Sequence, residues 1–97
     1  MATLHIVRQS AFISNDFSQC ITTLGKDDTV AFIDDGCYNM QHNLMKSIDA
    51  KLNIQLHVLA KHAQARALII NEPEFGKINM KNLVELTFSH DRVITWQ

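Results

Sequence analysis

Turn-forming residues are scarce: one Pro and three Gly in 97 positions. No biased or repetitive stretch occurs either, which excludes a disordered or low-complexity chain. Gly25, Gly36 and Gly76 stand apart from one another, so there is no Gly-rich phosphate loop. No GxSxG motif is present, and Ser10 has no recognisable catalytic partners. The two cysteines, Cys20 and Cys37, have sixteen residues between them. That spacing makes neither a CxxC redox pair nor a zinc quartet nor a secreted disulfide scaffold, and it fits a reducing cytoplasm. No apolar run approaches the roughly 20 residues of a membrane span. The opening MATLHIVRQS lacks the charged start and long apolar stretch of a secretory signal. Charge of either sign is also lacking in excess: nine basic residues against ten acidic, net −1, with the basic ones scattered. A chain that gripped nucleic acid directly by its phosphates would carry a basic patch, so direct nucleic-acid binding is not expected.

What is present is a chain of one-domain size, residues 1–97, that is 46% hydrophobic and 20% charged. Its core is modest for its surface, which leaves room for association to add stability. Strand-like and helix-like segments alternate. Thr3–Val7 is rich in β-branched residues and reads as a first strand. Ser14, Asn15 and Asp16 supply helix-start chemistry; Phe17, Cys20, Ile21 and Leu24 then fall on one helical face, and Gly25 ends the helix with its freedom to take positive φ. Thr29–Ile33 is nearly continuous apolar, the mark of a strand buried on both faces. Met40, Leu44, Met45, Ile48 and Leu52 predict a second helix, Ile54–Leu59 a third strand, and Lys61–Ala67 a short helix. After Pro73 a short strand near Phe75–Ile78 is expected. A last helix comes next, capped by Asn79, and Val93–Trp96 closes as a fifth strand. Strands separated by helices make βαβ units. The expected architecture is therefore a small three-layer α/β/α domain with a mostly parallel sheet of about five strands.

Open parallel sheets gather chemistry at the carboxyl ends of their strands. That edge collects Arg8-Gln9-Ser10, Asp34-Asp35-Gly36-Cys37 and Ala60-Lys61-His62. Cys37 can be read as a nucleophilic thiol at the start of the second helix, helped by Lys61 or His62, or as a small apolar residue in a turn. Asp34 and Asp35 would raise its pKa and favour the second reading. Their side chains point apart, so they make no shared-proton pair; one is expected to cap the turn at Gly36 and the other to be solvated. Cys20 lies on an apolar helical stripe and reads as a core thiol. His57 and His62 show an H-x4-H spacing without third and fourth ligands, so no metal site is expected. His5 and His57, inside strands, read as hydrogen-bonded core histidines. Trp96 is expected to dock within the fold or at a subunit boundary.

Taken together, TLHIVRQSAF, VAFIDDGCY and NLVELTFSHDRVITW resemble the TusB/DsrH family, small sulfur-relay subunits of the DsrE/DsrF/DsrH-like fold. The pieces are Leu4, His5, Val7, Ser10 and Phe12; Asp35-Gly36; Ala65-Arg66; and Leu86-Thr87 through Trp96. The resemblance spans essentially the whole chain. It implies assembly with TusC-like and TusD-like chains into a dimer of heterotrimers, which takes persulfide sulfur from an upstream donor and passes it to a downstream acceptor. In most bacteria the destination is the tRNA wobble uridine, which becomes 2-thiouridine; in sulfur oxidisers a related complex handles sulfur from oxidation. The resemblance assigns the main carrier cysteine to the TusD-like subunit. A first-helix cysteine is typical of the sulfur-oxidiser branch and Cys20 occupies that place, which makes it a candidate secondary persulfide carrier. Cys37 is the weaker candidate, because the resemblance does not require a cysteine there.

Thiol–persulfide exchange needs no metal and no organic cofactor. Two other classes compete with the relay reading: a stand-alone ligand-binding α/β module using the same sheet edge, and an independent thiol enzyme centred on Cys37.

Overall fold

The computed structural model describes residues 2–97. Five strands form one all-parallel sheet: β1 (Thr3–Val7), β2 (Thr29–Phe32), β3 (Gln55–Leu59), β4 (Gly76–Ile78) and β5 (Arg92–Trp96), in the order β4-β3-β2-β1-β5. The helices are α1 (Asp16–Thr23), α2 (Ala60–Ala65) and α3 (Met80–Ser89). From β1 to β4 the strands step in one direction, so their connections lie on one face; the return from β4 to β5 crosses on the other. Packing confirms this. Phe17 and Cys20 of α1, Ala63 of α2, and Cys37 share a cluster with Val7, Val30, Phe32 and Val58. Leu83 of α3 packs instead with Leu4, Ile6, Ala31, Leu59 and Ile78. The three-layer expectation holds, with α3 alone on its face.

β1 and β2 are buried along their whole length, which is why TVAFI reads as a nearly continuous apolar run, while β1, rich in β-branched residues, also buries His5. Asn79 and Asn82 cap α3 reciprocally: the Asn82 N–H donates to Asn79 Oδ1 at 2.8 Å and the Asn79 N–H to Asn82 Oδ1 at 3.0 Å. No helix among the described residues is long and apolar enough to cross a membrane.

Two local expectations fail. The second helix is absent. Residues 34–52 form three successive 3-10 segments, Asp34–Gln41, Asn43–Ser47 and Ala50–Leu52. Polar side chains break the run: His42 Nδ1 accepts the Leu44 N–H and Asp49 Oδ1 accepts the Lys51 N–H, offering the backbone turns in place of a helix. Met40, Leu44, Met45 and Ile48 still face the core, partly buried. Nor does Gly25 end α1 by a positive φ, for no described glycine has one. The helix stops at Thr23, and the left-handed residue downstream is Asp27, φ 64°.

Candidate functional site

The carboxyl edge is assembled by a backbone crossing at Gly36. Its N–H donates to Arg8 C=O at 3.0 Å and Ile33 C=O at 2.9 Å. A Cβ at this position would stand 2.0 Å from the Val7 carbonyl oxygen, so only glycine fits. Asp34, φ 49°, makes the turn into the crossing. Asn39, fully buried, ties the edge from beneath: its Oδ1 accepts the Ala11 N–H at 2.7 Å and its Nδ2 donates to Gln9 C=O at 3.1 Å.

Charged groups above the crossing are paired. Arg8 Nε donates to Asp34 Oδ2 and Arg66 Nε to Asp35 Oδ1, both at 2.9 Å; Arg8 Nη1 also donates to Gln97 Oε1. The expectation that one aspartate caps the turn while the other is solvated is therefore corrected: each has its own arginine. His62 Nδ1 accepts the Asp34 N–H at 2.8 Å, which places its proton on Nε2.

Neither cysteine faces this edge. Cys37 comes after β2 as the spacing suggests, yet it is 0% exposed, with only a long contact, 3.7 Å, from Sγ to Phe32 C=O. Burial pushes its thiol up to about 11; Arg66 opposes that, while Asp34 and Asp35 add to it. The neighbouring cation is thus Arg66, not Lys61 or His62. Cys20, also 0% exposed, is pushed up to about 12 by burial and by the charge of Asp28. Both thiols are therefore held in the protonated, weakly nucleophilic form at neutral pH. In this conformation an attacking sulfur reaches neither.

A second polar group lies at the opposite end of the sheet. Asp28 accepts from the Thr3 N–H at 2.9 Å, the Gly25 N–H at 2.8 Å and His5 Nε2 at 3.0 Å. Burial works to raise its carboxyl, but these hydrogen bonds outweigh it and hold the group below its ordinary value. Trp96 Nε1 donates to His5 Nδ1 at 3.1 Å. An indole N–H only donates, so His5 carries its proton on Nε2 and meets Asp28 as a neutral donor. His5 is a hydrogen-bonded core histidine and Trp96 is docked, as read from the sequence.

His57 departs from that reading. Both its ring nitrogens are buried without a partner among the described residues, because the ring packs against Gly76, where a Cβ would lie 2.7 Å from Nδ1. Burial, with a smaller contribution from His90, lowers its pKa. Among the described residues no three His, Cys, Asp or Glu side chains converge as metal ligands. Sequence reasoning misses Asn39, Asp28 and the Arg8–Asp34 pair. Only Asp28, an acid set against the start of an apolar strand, leaves a signal in the sequence.

The hollow at the carboxyl edge, lined by Leu59, Lys61, His62, Asn79 and Met80, holds about 110 Å³. Small-molecule sites commonly run to about 300–1,000 Å³; this hollow falls short of that, whereas one of about 570 Å³, lined by Ala60, Gln64, Leu68, Ile70 and Lys77 among others, falls within it.

The family model described as DsrH like protein matches residues 9–93. No curated protein matches the chain. Among solved structures, the crystal structure of the ychN protein from E. coli is similar in fold at 16% identity. Its TM-score is 0.73, and the match covers 99% of this chain and 100% of that one.

Proposed function

The chain belongs to the DsrH-like family, a family of sulfur-relay-related subunits, and from that premise we propose what it does within a relay. It works in the cytoplasm beside TusC-like and TusD-like chains, as one part of a heterohexamer that moves persulfide sulfur toward the tRNA wobble uridine. The observation carrying this reading is the family match across residues 9–93. The loop after β1 supports it: Phe12 and Ile13, 62% and 78% exposed, are groups suited to another protein's surface.

The chemistry is thiol–persulfide exchange. An acceptor thiolate attacks the outer sulfur of a donor persulfide, the donor's S–S bond breaks, and the donor leaves as a thiolate. The persulfide is now on the acceptor, with no net oxidation. Burial of both thiols supports a chiefly structural role for this subunit. Cys20 serves as a secondary carrier only when α1 lifts from the sheet; Cys37 is the weaker carrier. A sulfur-oxidation pathway is the second reading, favoured by the place of Cys20 in the first helix.

The test is sulfur uptake from a persulfidated donor by wild type, Cys20→Ala and Cys37→Ala, each assembled with its sister chains. Loss with Cys20→Ala alone supports the secondary carrier. Equal uptake by all three supports the structural role. Loss with Cys37→Ala alone overturns the ranking.

A further inference from the structure

The hollow at the carboxyl edge carries groups that hold an anion, and no nucleophile. Leu59, Lys61, His62, Asn79 and Met80 line it, none of them acidic. The passage from β3 into α2 brings Lys61 and His62 there; the start of α3 brings Asn79 and Met80. Lys61, Asn79 and Met80 are exposed and His62 is half-buried, so the hollow opens outward.

Hydrogen bonds made within the chain decide what each wall has left to offer. His62 Nδ1 accepts the Asp34 N–H, which leaves Nε2–H as the ring's donor. Asp34 Oδ2 accepts from Arg8, and Asp34 Oδ1 stands 3.4 Å from His62 Nδ1. That carboxylate is therefore engaged on the Nδ1 side of the ring and is not a wall of the hollow. Asn79 Oδ1 accepts the Asn82 N–H, so the side chain's remaining capacity is the donor pair on Nδ2. Lys61 adds an ammonium. Leu59 and Met80 add apolar surface, and the flexible thioether of Met80 suits a large, polarisable atom.

Size narrows the guest. At about 30 Å³ for a water-sized group, the 110 Å³ of the hollow admit three or four such groups. A cysteine persulfide ends in three: the Cβ and two sulfurs. This chain cannot supply that cysteine, because both of its thiols are buried. A donor and an acceptor visit in turn, whereas a carrier is present while sulfur arrives and while it leaves. We infer that the hollow seats the carrier cysteine of a sister subunit and stabilises its thiolate through Lys61 Nζ and His62 Nε2–H. The inference rests on the relay reading and names where this chain meets the reacting sulfur.

One device serves both half-reactions. In loading, the seated thiolate attacks the outer sulfur of the donor's persulfide. The donor's S–S bond breaks and the donor departs as a thiolate. In unloading, the acceptor's thiolate attacks the outer sulfur now on the carrier. The carrier's S–S bond breaks, and its inner sulfur is left in the hollow as a thiolate. The outer sulfur keeps its proton throughout, so atoms and charge balance and no oxidant is needed. A cation and an N–H donor beside the inner sulfur raise the thiolate fraction when it attacks and make it a better leaving group when it departs. This subunit thus takes part in the transfer while its own thiols stay inert.

The test uses the complex assembled with its sister chains. Lys61→Met removes the ammonium and keeps the length of the side chain. His62→Asn removes the Nε2 end and keeps, in its Oδ1, an acceptor for the Asp34 N–H. Both complexes should form at the wild-type mass. Alkylation of the carrier cysteine by iodoacetamide, followed against pH, should show its apparent pKa raised by about one unit in each variant. Sulfur transfer at neutral pH should slow about tenfold. Met80→Cys should form a disulfide with that same cysteine under mild oxidation, identified by mass spectrometry of the linked peptides. Variant complexes with an unchanged pH profile and transfer rate would overturn the inference and leave the relay reading in place. So would a Met80→Cys chain that links to the upstream donor or to nothing. A wild-type complex that does not form, or takes up no sulfur, would overturn both.

Discussion

Replacing Asp28 by Asn keeps the shape of the side chain and removes its charge, and the hydrogen bonds around it set the cost. The carboxylate accepts three of them at 2.8–3.0 Å: Thr3 N–H on Oδ1, and Gly25 N–H and His5 Nε2 on Oδ2. An amide offers one acceptor oxygen. In its better orientation the oxygen keeps Gly25 and His5, and the NH₂ meets the Thr3 N–H, donor against donor. His5 cannot relieve this by changing tautomer, because Trp96 Nε1 already donates to its Nδ1. One buried N–H is left unpaired and two charge-assisted bonds become neutral, a loss of about 3 kcal/mol. For a domain of this size that lowers the melting temperature by roughly 12–24 °C. The carboxyl titrates below its ordinary 3.8 in the folded chain. Its contribution is therefore present above that value and is lost as pH falls through the folded value. Denaturant and thermal melts at neutral pH and below pH 4 should show a wide gap between wild type and Asp28→Asn that narrows on acidification. A variant melting within about 3 °C of wild type at neutral pH, or a gap indifferent to pH, would refute the network.

Gly36→Ala forces a methyl onto the Val7 carbonyl and should cost about 3 kcal/mol or more, read by denaturant melts; stability equal to wild type would contradict the crossing. His57→Phe removes two unpaired buried nitrogens and should add about 1–2 kcal/mol of stability. Because the folded pKa of His57 is lowered below 6.5, wild type loses stability as pH falls below that value; the Phe variant's advantage should grow from pH 8 to pH 5, as urea melts would show. Both thiols should react slowly with an aromatic disulfide reagent in the native isolated chain and at once in denaturant; a fast native phase would mean that one of them is exposed.

The central strands are legible in the sequence because β1 and β2 are buried on both faces, and that burial favours the β-branched residues of TLHIV and the nearly continuous apolar run TVAFI. α3 is legible from the cap at Asn79, but of the residues whose helical spacing suggests one buried face, Met80, Leu83, Val84, Thr87 and Phe88, only Leu83 is buried, and Met80, Val84 and Phe88 are exposed. Residues 34–52 are not, because Met40, Leu44 and Ile48 fit helical spacing while polar side chains between them draw the backbone into tighter turns. Cys20 reads correctly as a core residue from its stripe alone. The partners of Asp28 are not legible, because Thr3, His5 and Gly25 meet it only once β1 and β2 are adjacent. His57 breaks a rule that holds for His5: a histidine inside a strand usually finds a partner, but the ring of His57 is turned onto Gly76.

Membership of a relay assembly is tested most directly by the native mass of the chain co-expressed with TusC-like and TusD-like chains. The account predicts co-elution in equal parts at the mass of a heterohexamer. A chain that leaves the column without either sister subunit, at every concentration tried, would contradict it.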